Sequence, residues 1–142
     1  SRTMHLDRLR EGEAEGVRYL VAEYEGQAAG LGVLVLVQPQ AWPVLSKLPQ
    51  IFDLLIKEES RRRGIGKSLI RTMERLTAMQ GYRDLYASVE PERNPRAYNL
   101  YLRLGYKPLR TKPREHYWSY AGSDGKTHQG VEWVVDMKRK LA

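Results

Sequence analysis

Cysteine is absent from the 142 residues. Its absence excludes disulfide frameworks, thiolate zinc sites, iron–sulfur clusters and cysteine nucleophiles together. Histidine is scarce as well. His5, His116 and His128 lie too far apart for any local metal-ligand spacing, so no metal is expected. Long apolar runs are missing too: the longest, residues 28–37, covers about half a membrane span. The opening Ser1-Arg2-Thr3-Met4 leads into charged sequence rather than an apolar signal segment, which makes the cytoplasm the default expectation. There is no internal repeat. What is present is an ordinary globular composition, 42% hydrophobic and 29% charged, at a length that suits one domain. The charge is one-sided, with 24 Lys and Arg against 17 Asp and Glu, a net +7. Such an excess points to an anionic partner without distinguishing nucleic acid, membrane or a phosphate-bearing cofactor.

Periodicity divides the chain into strands and two well-marked helices. Leu6 and Leu9 among charges give a weak, short helix signal over the first dozen residues. Residues 17–24 and 28–37 read as strands, joined through Glu25-Gly26-Gln27 into an antiparallel hairpin. Pro39, Pro43 and Pro49 around Trp42 mark residues 38–50 as a loop, and the apolar residues 51–57 read as a buried strand. A helix is expected over 65–80, with Ile65, Leu69, Met73 and Leu76 on one face and Gly81 as its stop. After a strand at 84–89, Asn94 offers an N-cap with Pro95 at the first helical position. Ala97, Leu100, Tyr101 and Leu104 follow at helical spacing, and Gly105 closes that helix. Residues 106–109 and 131–137 read as final strands separated by a polar, aromatic loop. The order predicts one α/β (mixed α+β) domain over 1–142.

The most informative stretch is Arg61-Arg62-Arg63-Gly64-Ile65-Gly66-Lys67-Ser68, between a strand and the long helix. A glycine-rich turn at a helix N-terminus leaves backbone N–H groups pointing outward at the positive end of the dipole, where an anion such as pyrophosphate fits. Exposed cations there face an unfavourable dipole, at about 0.3–1 kcal/mol each, and a bound anion would offset that repulsion. A solvated basic turn is the plain alternative. Two familiar phosphate motifs do not fit. A Walker A loop needs glycine where this chain has Arg61, and a dinucleotide fingerprint needs a small residue at Leu69, although Glu90 ends the next strand at a tolerable distance.

The chain resembles the GNAT superfamily of N-acetyltransferases at two separated motifs. Arg61, Gly64 and Gly66 match its acyl-CoA loop, Arg/Gln-x-x-Gly-x-Gly/Ala. Asn94, Ala97, Leu100, Tyr101, Gly105 and Tyr106 match its Asn-x-x-Ala-x-x-Leu-Tyr-x-x-x-Gly-Phe/Tyr. The resemblance spans roughly residues 17–141 and implies a central, mostly antiparallel sheet flanked by helices. The family fold normally begins with a strand and one or two helices. Here at most a short helix precedes Val17, so a truncated or unusually short member lacking the usual first strand and helix is expected. In this family the missing piece lines the acceptor side.

The resemblance implies direct transfer of acetyl from acetyl-CoA to a primary amine, a small molecule or a peptide, without a metal. The backbone of Arg61, Arg62, Arg63, Gly64, Ile65, Gly66, Lys67 and Ser68 would hold the pyrophosphate of coenzyme A. Backbone groups around Leu55, Ile56 and Lys57 would pair with the pantetheine arm and polarise the thioester carbonyl, an oxyanion-type stabilisation. Tyr101 falls where family members place the general acid for the departing thiolate. It also lies on the apolar stripe of its helix, where an aromatic is usually core. Asn94 is a helix cap on sequence grounds and a cofactor contact by resemblance. A lysine-like acceptor amine, with a pKa near 10.4, must lose a proton before it attacks. Asp53, the acid inside the central strand, is the candidate base. Glu58 and Glu59 follow that strand, where they would balance the arginine run. Trp42, His116, Tyr117 and Trp118 fall in expected loops that would shape an acceptor pocket or pack as lids. A non-catalytic acyl-CoA sensor on the same fold stays open, as does a homodimer, and a basic nucleic-acid-binding domain ranks last.

Overall fold

The computed structural model describes residues 8–14, 16–37 and 47–141. The strands are β1 (Arg8–Ala14), β2 (Val17–Tyr24), β3 (Gln27–Val35), β4 (Gln50–Ile56), β5 (Asp84–Val89), β6 (Lys107–Pro108), β7 (Arg114–Ala121) and β8 (Thr127–Lys140). The helices are α1 (Ile65–Met79) and α2 (Pro95–Arg103), with a single 3-10 turn at Glu58–Ser60 before α1. Seven strands run β1-β2-β3-β4-β5-β8-β6 across one sheet, and β7 pairs with the first half of β8. Every neighbouring pair is antiparallel except β4 and β5. The fold is therefore mixed α+β with a mostly antiparallel sheet.

The core forms where the two periodicities meet. Leu20 and Ala22 of β2, Ala29 and Leu34 of β3 and the stripe Ile65, Leu69, Ile70 and Met73 of α1 are almost fully buried. Each such aliphatic side chain contributes roughly 1.5–3 kcal/mol on leaving water. α2 starts as its sequence predicts, with Asn94 Oδ1 accepting the Ala97 N–H at 3.2 Å and Pro95 in the first turn. It buries Ala97 and Tyr101, and the Tyr101 ring meets Tyr106 edge-on at 5.3 Å.

Three expectations change. The helix signal over the first dozen residues gives way at 8–14 to β1, paired residue for residue with β2, and residues 1–7 lie outside the described set. Seven consecutive pairings outweigh a two-leucine helical pattern. A strand thus does precede the hairpin, with no helix between β1 and β2. The expected polar loop before β8 contains β7 instead, because the 14-residue β8 outruns β5 and templates a second partner. β4 is not buried throughout: Phe52 and Leu55 are exposed.

Candidate active site

β4 and β5 pair only at Gln50↔Tyr86 and Ile51↔Ala87. Beyond them β4 keeps β3 as its partner, and the register skips Phe52 between Ile51 and Asp53. Such a bulge bends a strand and ends regular pairing. The edge of β4 facing β5 is left open from there to Ile56. The Lys57 N–H bonds Ala29 O on the β3 side at 2.9 Å. Strand alternation then turns the peptide groups of Leu55 and Lys57 toward β3 and those of Leu54 and Ile56 into the gap. The Leu54 N–H donates to Asp53 Oδ1 at 3.0 Å, so Ile56 presents the peptide left facing the opening. Of the three backbone positions expected at a pantetheine arm, Ile56 turns its N–H into this opening, while Leu55 and Lys57 turn theirs toward β3.

A cleft of about 740 Å³ lies between this edge, the loop before α1 and α2. Gly64 caps α1 with φ 76°, a left-handed conformation that costs a side-chain-bearing residue energy. α1 has no side-chain cap and no acid in its first turn. The Ser68 N–H is the first to close on the helix, bonding Gly64 O at 3.0 Å, which leaves the preceding N–H groups as orphan donors at the cleft. A Cβ at Gly66 would lie 2.9 Å from Leu100 Cδ2, so a side chain there narrows the passage between the helices unless Leu100 shifts. Open donors, a bare strand edge and a passage that a methyl would fill suit an extended, phosphate-bearing ligand with amide groups.

Leu55, Ile56, Arg61, Arg62, Gly64, Ile65, Gly66, Lys67 and Asn94 all line the cleft. Lys57 and Arg63 do not. They border a separate hollow, where Arg63 donates to the Tyr24 hydroxyl at 3.0 Å and lies 4.7 Å from its ring centroid. Ser68 is also outside, its carbonyl accepting from Thr72 Oγ1 at 2.8 Å. Further along α1, Arg71 binds the buried Glu74 at 2.8 Å, shared with Arg139 at 3.0 Å and the Tyr106 hydroxyl at 2.8 Å. Local basicity was therefore only partly a measure of the cleft. Arg96, Asn99, Leu100 and Arg103 supply its other wall and were missed, although their i, i+3, i+4, i+7 spacing on one helix face was readable.

A second cavity, about 200 Å³, shares Leu54, Asn94 and Ala97 with the cleft. Tyr101 lines this cavity and not the cleft. It is 3% exposed, and its hydroxyl has no hydrogen-bond partner among the described residues. Burial, and next the negative Asp53, push its pKa well above the usual phenol value. Asp53 lines the same cavity, and burial holds its carboxyl above the ordinary range, partly opposed by the Leu54 N–H. Glu90 at the end of β5 and Glu132 on β8 complete the acidic wall. Neither carboxylate is legible as a site residue in the sequence, because only the pairing of β5 with β8 brings them to one cavity. Burial first, then the charge of Glu132, raise the Glu90 pKa, and Arg93 beside it at 3.4 Å pulls the other way. Of the expected loop aromatics, His116 reaches Glu132 at 3.7 Å, Trp118 crosses Gly130 and Tyr117 is exposed. All three sit on β7 rather than in a loop, and Trp42 lies outside the described residues.

The sheet parted beside a helix N-terminus thus leaves a basic cleft and an acidic cavity that share one wall. The description "Acetyltransferase (GNAT) family" fits residues 2–106, and the chain belongs to that family. It is 32% identical over 108 residues to N-acetyltransferase 8F1 of Mus musculus, a match covering 75% of this chain and 47% of that protein. It is 28% identical over 124 residues to an N-alpha-acetyltransferase of Sulfurisphaera tokodaii, covering 80% and 68%. A GNAT family acetyltransferase from Elizabethkingia anophelis, solved with acetyl-CoA bound, shares the fold with a TM-score of 0.59 at 16% identity, covering 88% of this chain and 76% of that one. The chain thus spans about half the length of the mouse relative. Among the described residues no helix is long and apolar enough to cross a membrane.

Proposed function

We propose that this domain transfers an acetyl group from acetyl-CoA directly to a primary amine. The observation that carries the reading is the shared wall: the basic cleft and the acidic cavity meet at Leu54, Asn94 and Ala97, beside the unpartnered Tyr101 hydroxyl. Acetyl-CoA, when bound, supplies an activated acyl carbon and a thiolate leaving group. The orphan N–H groups of Ile65, Gly66 and Lys67, with Arg61 and Arg62, hold its phosphates. Ile56 and the open β4 edge orient the amide-bearing arm, and the Ile56 N–H is placed to polarise a carbonyl.

Asp53 takes the proton of the incoming amine, a task helped by a pKa raised toward neutrality. Tyr101 gives its proton to the leaving sulfur. A buried phenol is a weak acid for a thiol whose pKa is near 8.5. The two groups are coupled, however. Asp53's charge is one cause of the raised Tyr101 pKa, so protonating Asp53 makes Tyr101 a stronger acid when the proton is needed. As the amide forms, the nitrogen sheds its second proton, which restores the phenol through water, while Asp53 returns its own proton to solvent, so the protons balance.

Thiol release from acetyl-CoA over a panel of amines tests the reading. The panel includes peptide α-amines, because the archaeal relative is named an N-alpha-acetyltransferase. Amine-dependent release is expected. Tight acetyl-CoA binding without release to any amine would make this an acyl-CoA-binding module.

A further inference from the structure

The acidic cavity has more negative charge than proton transfer to an amine needs. Asp53, Glu90 and Glu132 line it, and Arg93 is the basic residue among its walls. This occurs in a chain of net charge +7. Glu90, just after β5, and Glu132, on β8, line the cavity together, and Glu132 acts on the Glu90 carboxyl through its charge and a side-chain hydrogen bond. Their basic neighbours compensate weakly. The Arg93 side chain is 78% exposed and contacts Glu90 at 3.4 Å, and His116 reaches Glu132 at 3.7 Å. An arginine that exposed contributes little to its pair, and His116 is a partner only while protonated. An independent feature marks the cavity as a place for a ligand: the Tyr101 side chain, 3% exposed, lines it, and its hydroxyl has no hydrogen-bond partner among the described residues.

We infer that the Glu90–Glu132 pair selects acceptors that carry a second positive charge beyond the reacting amine, the pair binding that charge while Asp53 and Tyr101 serve the reacting nitrogen. The inference rests on the acetyl-transfer reading for the identity of the reacting group. A cation between two interacting carboxylates relieves their repulsion as well as its own desolvation, so the gain exceeds that of a single ion pair. The same chemistry is offered by a diamine and by a peptide whose N-terminal amine precedes a lysine. Phe52, Val89 and Val134 give the cavity apolar sides against which a methylene chain packs.

The experiment compares 1,4-diaminobutane with 1-aminobutane, and Ala-Lys with Ala-Glu peptides, by kcat/KM at two salt concentrations. The dicationic member of each pair is expected to be preferred by at least about tenfold at low salt, with the preference shrinking as salt rises. Glu132→Gln and Glu90→Gln should each reduce that ratio by about fivefold or more, chiefly through KM. Retained acetyl-CoA affinity checks the fold of both variants. A preference in the diamine pair alone assigns the site to small amines, and one in the peptide pair alone to chain termini. Equal use of the paired acceptors, or a ratio untouched by both substitutions, overturns the inference. Binding is also read by calorimetry with 1,4-diaminobutane, so a domain that transfers no acetyl still answers. Binding of the diamine that weakens about fivefold in Glu132→Gln upholds the charge selection even if the transfer reading fails, and no binding in either assay ends it.

Discussion

The two ends of the cleft differ in charge and in how the chain builds them. The donor end is basic, with Arg61, Arg62, Lys67, Arg96 and Arg103, and comes from one continuous stretch plus the facing helix. The acceptor end is acidic, with Asp53, Glu90 and Glu132 drawn from β4, β5 and β8. A donor common to a family can be held by local backbone geometry, a turn and a helix terminus. An acceptor must be met by side chains, which the sheet collects from distant parts of the chain. Under the proposed reaction the charge contrast orders the ligands, an anionic donor at the basic cleft and a cationic amine at the acidic cavity.

Tyr101→Phe gives the sharpest test of the boundary between the ends. It keeps the ring against Tyr106 and removes a hydroxyl that has no hydrogen-bond partner among the described residues. Turnover should fall by about 10² while acetyl-CoA affinity and the thermal midpoint hold, as steady-state kinetics and calorimetry would show. Full turnover in that variant would remove Tyr101 from proton transfer and leave the acceptor end as a binding surface.

Gly66→Val should act on the donor end alone. The added side chain meets Leu100 across the passage, and acetyl-CoA affinity should drop about tenfold, or ~1.4 kcal/mol. Titration of the variant with coenzyme A, alongside its circular dichroism, separates a blocked passage from a misfolded helix. Unchanged affinity in a folded variant would move the donor out of this passage.

The smallest effect is a pH dependence at the acceptor end. Because the Asp53 pKa is raised in the folded protein, the native state holds this proton more tightly than the unfolded chain does. Between the ordinary value of 3.8 and the raised one, stability falls as pH rises, and the loss persists at neutral pH. Asp53→Asn should therefore melt higher than the parent at pH 7, with the difference vanishing below about pH 3.8, the ordinary aspartate value. Each kcal/mol corresponds to about 2–4 °C at this size, so a shift of a few degrees is expected in thermal melts. An equal shift at both pH values would trace the change to packing instead of charge.

Residues 61–67 and the cap at Asn94 were legible in the sequence because turn chemistry and helix capping are local. Their side chains were less so. Arg63 and Arg71 look the same as Arg61 along the chain, yet one stacks on Tyr24 and the other neutralises Glu74. Which arginine faces the cleft depends on the helix it decorates and on the strand beneath it. β7 was invisible for a related reason: its alternation is weak, and it is a strand because β8 is long enough to pair with it.

By itself the sequence determined the family, the two helices with their caps and the glycine-opened loop, since each is set by steric and hydrogen-bonding rules acting within a few residues. The tertiary structure decided the parting of β4 from β5, the inward turn of the Ile56 peptide and the meeting of Asp53, Glu90, Glu132 and Tyr101. These depend on pairing and burial between residues dozens of positions apart. There the low-dielectric interior, and not the local pattern, fixes which groups keep their charge.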